Sequence, residues 1–187
     1  MLFSSWFITG CGTDRLDNST KAEGENTANT ISGSLVSGNG TANSNTTSAP
    51  YNRKSRIADV MADLVFGSYG RLLFPVQRGY WSGETLEKLR LTYYNYIDSD
   101  ETVTIVNYLH NQADNGKTVF YDIYTDEEKS HDPRKADTGL FFFRGNPGAR
   151  FAVCNAGGAF AYVGAMHDSF PHAFELSKKG YNAFALI

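Results

Sequence analysis

Cysteine is scarce in this chain, with Cys11 and Cys154 the only two among 187 residues. They are too far apart in character and number to form a disulfide scaffold, so each thiol is argued singly. No excess of positive charge is present either. Of the 17 Lys and Arg only Arg15 and Lys21 precede residue 51, and of the 20 Asp and Glu only Asp14, Asp17, Glu23 and Glu25, leaving 15 against 16 in residues 51–187. A field that neutral does not hold phosphate backbones, which excludes nucleic acid as a first partner. Long apolar runs are missing too: Met1 to Gly10 is far short of the roughly 20 residues a bilayer span requires. Aromatic residues are absent from Gly12 to Pro50, although the chain holds 26. Phosphate-binding motifs are missing as well, because neither Gly-x-x-x-x-Gly-Lys-Ser/Thr nor Gly-x-Gly-x-x-Gly occurs, and no cofactor is expected.

What is present divides at residue 50. Gly12 to Pro50 is mostly Ser, Thr, Asn, Gly and Ala, as in Ser37-Gly-Asn-Gly-Thr-Ala-Asn-Ser-Asn-Thr-Thr-Ser-Ala-Pro50. Such a tract cannot bury enough apolar area to offset its ordering entropy, and residues 12–50 read as a flexible linker. The sequons at Asn18, Asn39 and Asn45 are expected by chance in it. Residues 51–187 hold 23 aromatics and are the right size for one core.

Within that domain, Ile57, Val60, Met61, Leu64 and Val65 share a helical face from Arg56 to Phe66, with Gly67 as a stop. Tyr69 to Tyr96, interrupted by Gly70, Pro75, Gly79 and Gly83, reads as loop with a helical turn near Glu84 to Leu89. Asp98 and Glu101 have the spacing of a capping box, opening a helix whose face is Val103, Val106, Leu109 and Ala113 and which Gly116 ends. Residues 51–116 are thus a helical and loop leader. Thr118 to Tyr124 and Gly139 to Arg144 predict a hairpin pair of strands, joined by a charged connection from Thr125 to Asp137. Arg150 to Asn155 predicts a third strand buried on both faces. After Ala156-Gly157-Gly158-Ala159-Phe160 comes a helix capped by Asp168 or Ser169, with Ala173, Phe174 and Leu176 inward. It ends at Gly180 and leads to a fourth strand over Asn182 to Ile187. Strand, Gly-rich loop, helix and strand make a parallel βαβ unit.

Glycines directly after a buried parallel strand let the backbone turn with its N–H groups outward, a geometry suited to an oxyanion. The run Val153-Cys-Asn-Ala-Gly-Gly-Ala-Phe160, with His167-Asp-Ser-Phe-Pro-His172 and Lys178-Lys-Gly-Tyr-Asn182 after it, resembles the oxyanion segment, crossover helix and next strand of α/β-hydrolases of the esterase and acetyl-xylan-esterase type. The resemblance implies an α/β fold over residues 117–187, truncated to about the first four strands of an α/β-hydrolase sheet. It also implies that Gly157, Gly158 and Ala159 form the oxyanion loop, with the N–H groups of Gly158 and Ala159 as donors. Ala159 stands where the family has a third glycine, and Ala156 where it often has His or Pro. The family's nucleophile lies in a Gly-x-Ser-x-Gly turn, followed along the chain by Asp and His. No Gly-x-Ser-x-Gly occurs here, so the expectation is that all three lie beyond residue 187. The substrate implied is a small-molecule or carbohydrate ester.

Residues 1–11 resemble the lipobox of bacterial lipoprotein signals, with Cys11 the residue to be lipidated. The expectation is a bacterial protein facing outside the cytoplasm and touching the membrane only through that lipid. The segment is shorter than the usual span of about 15 to 30 residues and has no Lys or Arg before its apolar run. A start upstream of Met1 is therefore expected. The rival reading is a non-catalytic surface lipoprotein whose aromatic leader, with Tyr80-Trp81 and Tyr93-Tyr94, binds sugar. Cys154 reads as a small core residue, and the His167, Asp168 and His172 group as a helix start in preference to a metal site. Glu127, Glu128, Lys129, Asp132 and Arg134 read as a solvated charge run.

Overall fold

A computed structural model describes residues 50–77, 79–92 and 97–187. Cys11, residues 12–49 of the linker, and Tyr93 and Tyr94 lie outside the described residues.

The leader begins with helix α1 (Ile57–Met61), which buries Ile57 and Val60. It does not run on to Phe66. Asp63 takes an extended conformation and its carboxylate accepts the Val65 N–H at 2.9 Å, opening a 3₁₀ segment over Leu64–Leu73. A short acidic side chain that bonds its own local backbone competes with helix continuation in this way. Leu64 is thereby rotated out to 93% exposure, while Phe66, Leu72 and Leu73 are buried. Gly67, at φ 53, is a kink inside that segment and not its end. Strand β1 (Trp81–Ser82) then pairs antiparallel with β2 (Arg90–Leu91), and Leu86, Leu89 and Leu91 are buried around them. Helix α2 (Ser99–Asp114) starts where Asp98 accepts the N–H groups of Asp100 and Glu101 at 2.9 and 3.1 Å. Its buried face is Thr102, Ile105, Val106 and Leu109, and Val103 and Ala113 sit at the margins.

The second part is a mixed α/β layer. Strand β3 (Phe120–Asp122) is followed by α3 (Asp126–His131) and a 3₁₀ turn at Pro133–Asp137, then by β4 (Gly139–Phe143), β5 (Phe151–Asn155), α4 (Ser169–Lys178) and β6 (Asn182–Leu186). The charged connection is thus mostly helical, because Thr125 and Glu128 close a reciprocal capping box and Asp132 caps the next turn. Its charges pair locally, with Lys129 Nζ 2.7 Å from Asp122 and Lys135 Nζ 3.6 Å from Glu128.

The sheet order is β3-β4-β6-β5. β3 and β4 are antiparallel, β6 is antiparallel to β4, and β5 and β6 are parallel. The register explains why β6 lies in the centre. Phe141 faces Ala185 and Phe143 faces Ala183, so each large ring of β4 fills the room a small residue of β6 leaves. Phe170, Ala173 and Phe174 of α4 close that face, with the Phe141 and Phe170 rings 4.9 Å apart. Burying each such Phe stabilises the fold by about 1.5–3 kcal/mol.

The opposite face is only half covered. Phe142 stacks on Phe184 at 4.6 Å, and Phe151 meets Phe184 edge-on at 6.5 Å. Phe151 is 45% exposed and only Cys154 of β5 is buried, which corrects the expectation of a strand covered on both faces. β5 has β6 as its one neighbour in this sheet, and alternation sends Phe151 and Val153 to the open side.

Candidate functional site

In open α/β sheets ligands collect beyond the carboxyl ends of parallel strands. Here those ends are Asn155 and Leu186, opposite one another in the ladder. The chain from 156 to 164 is folded just past Asn155.

Two sets of backbone bonds close the loop. The carbonyl of Gly157 accepts the Gly164 N–H at 3.0 Å, and that of Gly158 accepts the N–H groups of Ala161 and Tyr162 at 2.9 and 3.3 Å. Gly158 has to be glycine at this spot, because a Cβ there would lie 1.6 Å from the Tyr162 carbonyl oxygen. Gly164 is constrained likewise, by the His167 ring 2.1 Å from where its Cβ would be. Ala159 and Phe160 then take φ values of 54° and 59°, the only positive φ among the described non-glycine residues. Each costs roughly 1–2 kcal/mol over the right-handed form. Two strained residues in sequence persist only where the surroundings hold them, and such strain concentrates at functional sites.

Among the described residues no acceptor meets the N–H groups of Gly158, Ala159 or Phe160. The Phe160 side chain stands fully exposed beside them. The Gly157 N–H is spoken for, donating to Asp168 Oδ2 at 2.7 Å. Asp168 was expected to cap α4, and it stands at the N-cap position, but its carboxylate makes no bond to the helix's first turn. It reaches back to the loop instead, and its other oxygen lies 3.4 Å from His172 Nδ1. In the turn Gly157 is therefore anchored, while the N–H groups of Gly158 and Ala159 have no acceptor among the described residues. Fixed donors of that kind bind charge as it develops, because they need no reorganisation.

Several neighbours were invisible to sequence reasoning. Tyr162 is buried and stacks on Tyr80 of the leader, with centroids 5.3 Å apart and rings 29° from parallel. No local pattern could have linked residues so distant in the chain. His167 is also inside, where burial holds its pKa down to about 4 against the opposing pull of Asp168. Trp81, the other half of the candidate sugar platform, packs inward against Phe74 at 6.2 Å.

Cys154 is one step from the loop yet chemically quiet. Burial first, and the Asp168 carboxylate second, push its thiol pKa up, and the reactive species is the thiolate. In a chain carrying Cys11→Ser, Cys154 is expected to react slowly with a disulfide reagent until denaturant is added. Fast labelling of the folded chain would contradict this placement.

Among the described residues no group of three or more His, Cys, Asp and Glu is arranged to hold a metal ion, and no helix is long and apolar enough to cross a membrane. Comparison of the chain with protein-family models, curated proteins and solved structures finds no match.

Proposed function

We propose that this chain supplies the oxyanion-binding part of a serine hydrolase that cleaves acyl esters, carbohydrate esters among them, on an α/β-hydrolase sheet. The observation that carries the reading is the strained turn Gly158-Ala159-Phe160 at the carboxyl end of β5, whose N–H groups meet no acceptor among the described residues. A serine beyond residue 187 attacks the ester carbonyl. The oxygen that becomes negative is met by the N–H groups of Gly158 and Ala159, the alcohol leaves, and water releases the acid with His and Asp assisting the proton transfers. Removing one donor of this type costs about 10²–10³ in kcat. Asp168 acts behind the donors, fixing Gly157 and so the angle at which the next two N–H groups point.

The inward packing of Tyr80 and Trp81 favours this reading over a sugar-binding leader. In the same proposal Cys11 carries a lipid that tethers the domain outside the cytoplasm of a bacterium.

The test is expression of the chain together with the coding sequence that follows Ile187. That product is expected to hydrolyse p-nitrophenyl acetate and to be labelled covalently by a fluorophosphonate. The 187-residue chain alone is expected to do neither. Absence of both from the extended product overturns the hydrolase reading.

A further inference from the structure

At the other end of the sheet from the loop, β4 ends beside the start of β6, where Phe143 faces Ala183. A groove of about 720 Å³ opens there, lined by Tyr108, Gln112, Lys117, Thr118, Arg144 and Asn182 among others. Among the described residues its lining contains two cations, Lys117 and Arg144, and no carboxylate.

Arg144 is held in place by groups that leave part of it unused. Its Nη2 donates to the Thr118 carbonyl at 2.7 Å, and its guanidinium carbon lies 4.6 Å from the centroid of the Phe142 ring. Its backbone N–H donates to the Tyr108 hydroxyl at 2.9 Å. Its Nε is buried with no hydrogen-bond partner among the described residues. A buried donor without a partner is rare in folded proteins and calls for an explanation. Packing explains the ring contact and the Thr118 bond but leaves the Nε–H unexplained.

The carboxyl end of α2 is close by and invites another explanation, that the two cations only offset its dipole. Three of its last carbonyls are already occupied. Asn111 O accepts from the Asn115 backbone at 3.2 Å and from its side chain at 2.7 Å, Gln112 O from Lys117 N at 3.0 Å and Ala113 O from Gly116 N at 2.9 Å. Asn182 is similarly committed, bonding Gly145, Asn146 and Ala149. The charged groups of the described lining are both cationic, the Arg144 guanidinium, whose Nε–H has no partner among the described residues, and the Lys117 ammonium, with the neutral side chains of Gln112 and Thr118 beside them.

We infer that this groove is a binding site for an oxyanion group, a phosphate or a carboxylate, borne by a small molecule. A planar guanidinium fixed before binding presents its N–H fork to two oxygens of such a group, and the lysine adds an unoriented charge. The groove is open and wider than an inorganic anion, so the proposed group is the end of a larger ligand. The inference is independent of the hydrolase reading, since none of these residues belongs to the loop.

Inorganic phosphate and acetate serve as probes, titrated into the ¹⁵N-labelled full chain at constant ionic strength set with chloride. Saturable shifts are expected at Gly116, Lys117, Thr118 and Gly145, together with movement of the Arg144 Nε–H resonance. Which probe binds more tightly assigns the group. Lys117→Gln, at an exposed position, is expected to weaken binding several-fold, and Arg144→Lys by about tenfold or more because the fork is lost while the charge stays. Spectra of both variants away from the groove report whether the fold is kept. Shifts that chloride reproduces, that never saturate, or that persist unchanged in Lys117→Gln overturn the inference.

Discussion

Gly158→Ala is expected to destabilise the chain by about 3 kcal/mol, a drop of roughly 10 °C in melting temperature for a domain of this size. The added methyl would sit 1.6 Å from a carbonyl oxygen, that of Tyr162, and a backbone atom cannot rotate away as a side chain can. Relief requires moving Tyr162, whose N–H, with that of Ala161, is bonded to the Gly158 carbonyl. The clash and the loss of those bonds therefore add together. Gly157→Ala is the control. Its methyl would meet only Asp168 Oδ2, at 3.3 Å, and that side chain can yield by a few tenths of an ångström. A change of about 1 kcal/mol or less is expected there. Thermal melts of the two variants, followed by circular dichroism, separate the cases. Closely similar melting temperatures would mean that the turn is not folded as described. Ala159→Gly should move the other way, because it relieves a Cβ held at φ 54° and restores the residue that the esterase resemblance expects.

The elements that carry this turn were legible to different degrees. Gly139 to Phe143, Phe151 to Asn155 and Asn182 to Leu186 each stand out as short apolar runs between turn residues, and the crossover helix follows from its spacing and from Gly180. The antiparallel β3–β4 pair and the parallel β5–β6 pair were legible, but the β4–β6 junction was not, because its signal is relational: Ala183 and Ala185 become informative only when set opposite Phe143 and Phe141. The exposure of Phe151 has the same origin. An apolar strand looks alike in sequence whether it lies in the middle of a sheet or at its edge. Two further signals are local. Asp63 has the short acidic side chain that interrupts a helix, and Thr125-x-x-Glu128 is a capping box inside what was read only as charge. Gly157, Gly158 and Ala159 stand out in sequence as a small-residue run after a strand, and it is the esterase resemblance that gives them a proposed role. The partner that anchors them was misassigned because Asp168 in sequence is a good helix cap, and only tertiary structure offers it the stronger donor of Gly157.

Lowering the pH from 6.5 toward 4 is expected to cost the fold about 3 kcal/mol through His167 alone. The folded pKa is about 4, set first by burial and opposed by Asp168, while an unfolded His titrates near 6.5. Between those values the unfolded chain binds a proton that the folded chain refuses, so stability is fully present above the unfolded pKa and falls as pH falls. The slope approaches 1.4 kcal/mol per pH unit within the window and vanishes below the folded pKa. Asp63, whose pKa is lowered although burial opposes this, begins to lose its contribution only near the ordinary Asp value of 3.8. Glu128 and Glu175, lowered from 4.5, are surface groups that titrate at the bottom of the interval, so most of the histidine window stands apart. The His167 ring lies against Gly164, whose N–H closes the loop onto Gly157. Protonation should therefore open residues 156–168 before the sheet melts, and the Gly164 amide should exchange with solvent sooner than the amides of β6. His167→Gln removes the titrating group and is expected to flatten the melting temperature between pH 6.5 and 4. If the variant loses stability as steeply as the parent over that interval, the acid sensitivity lies elsewhere and the buried neutral imidazole does not hold the loop.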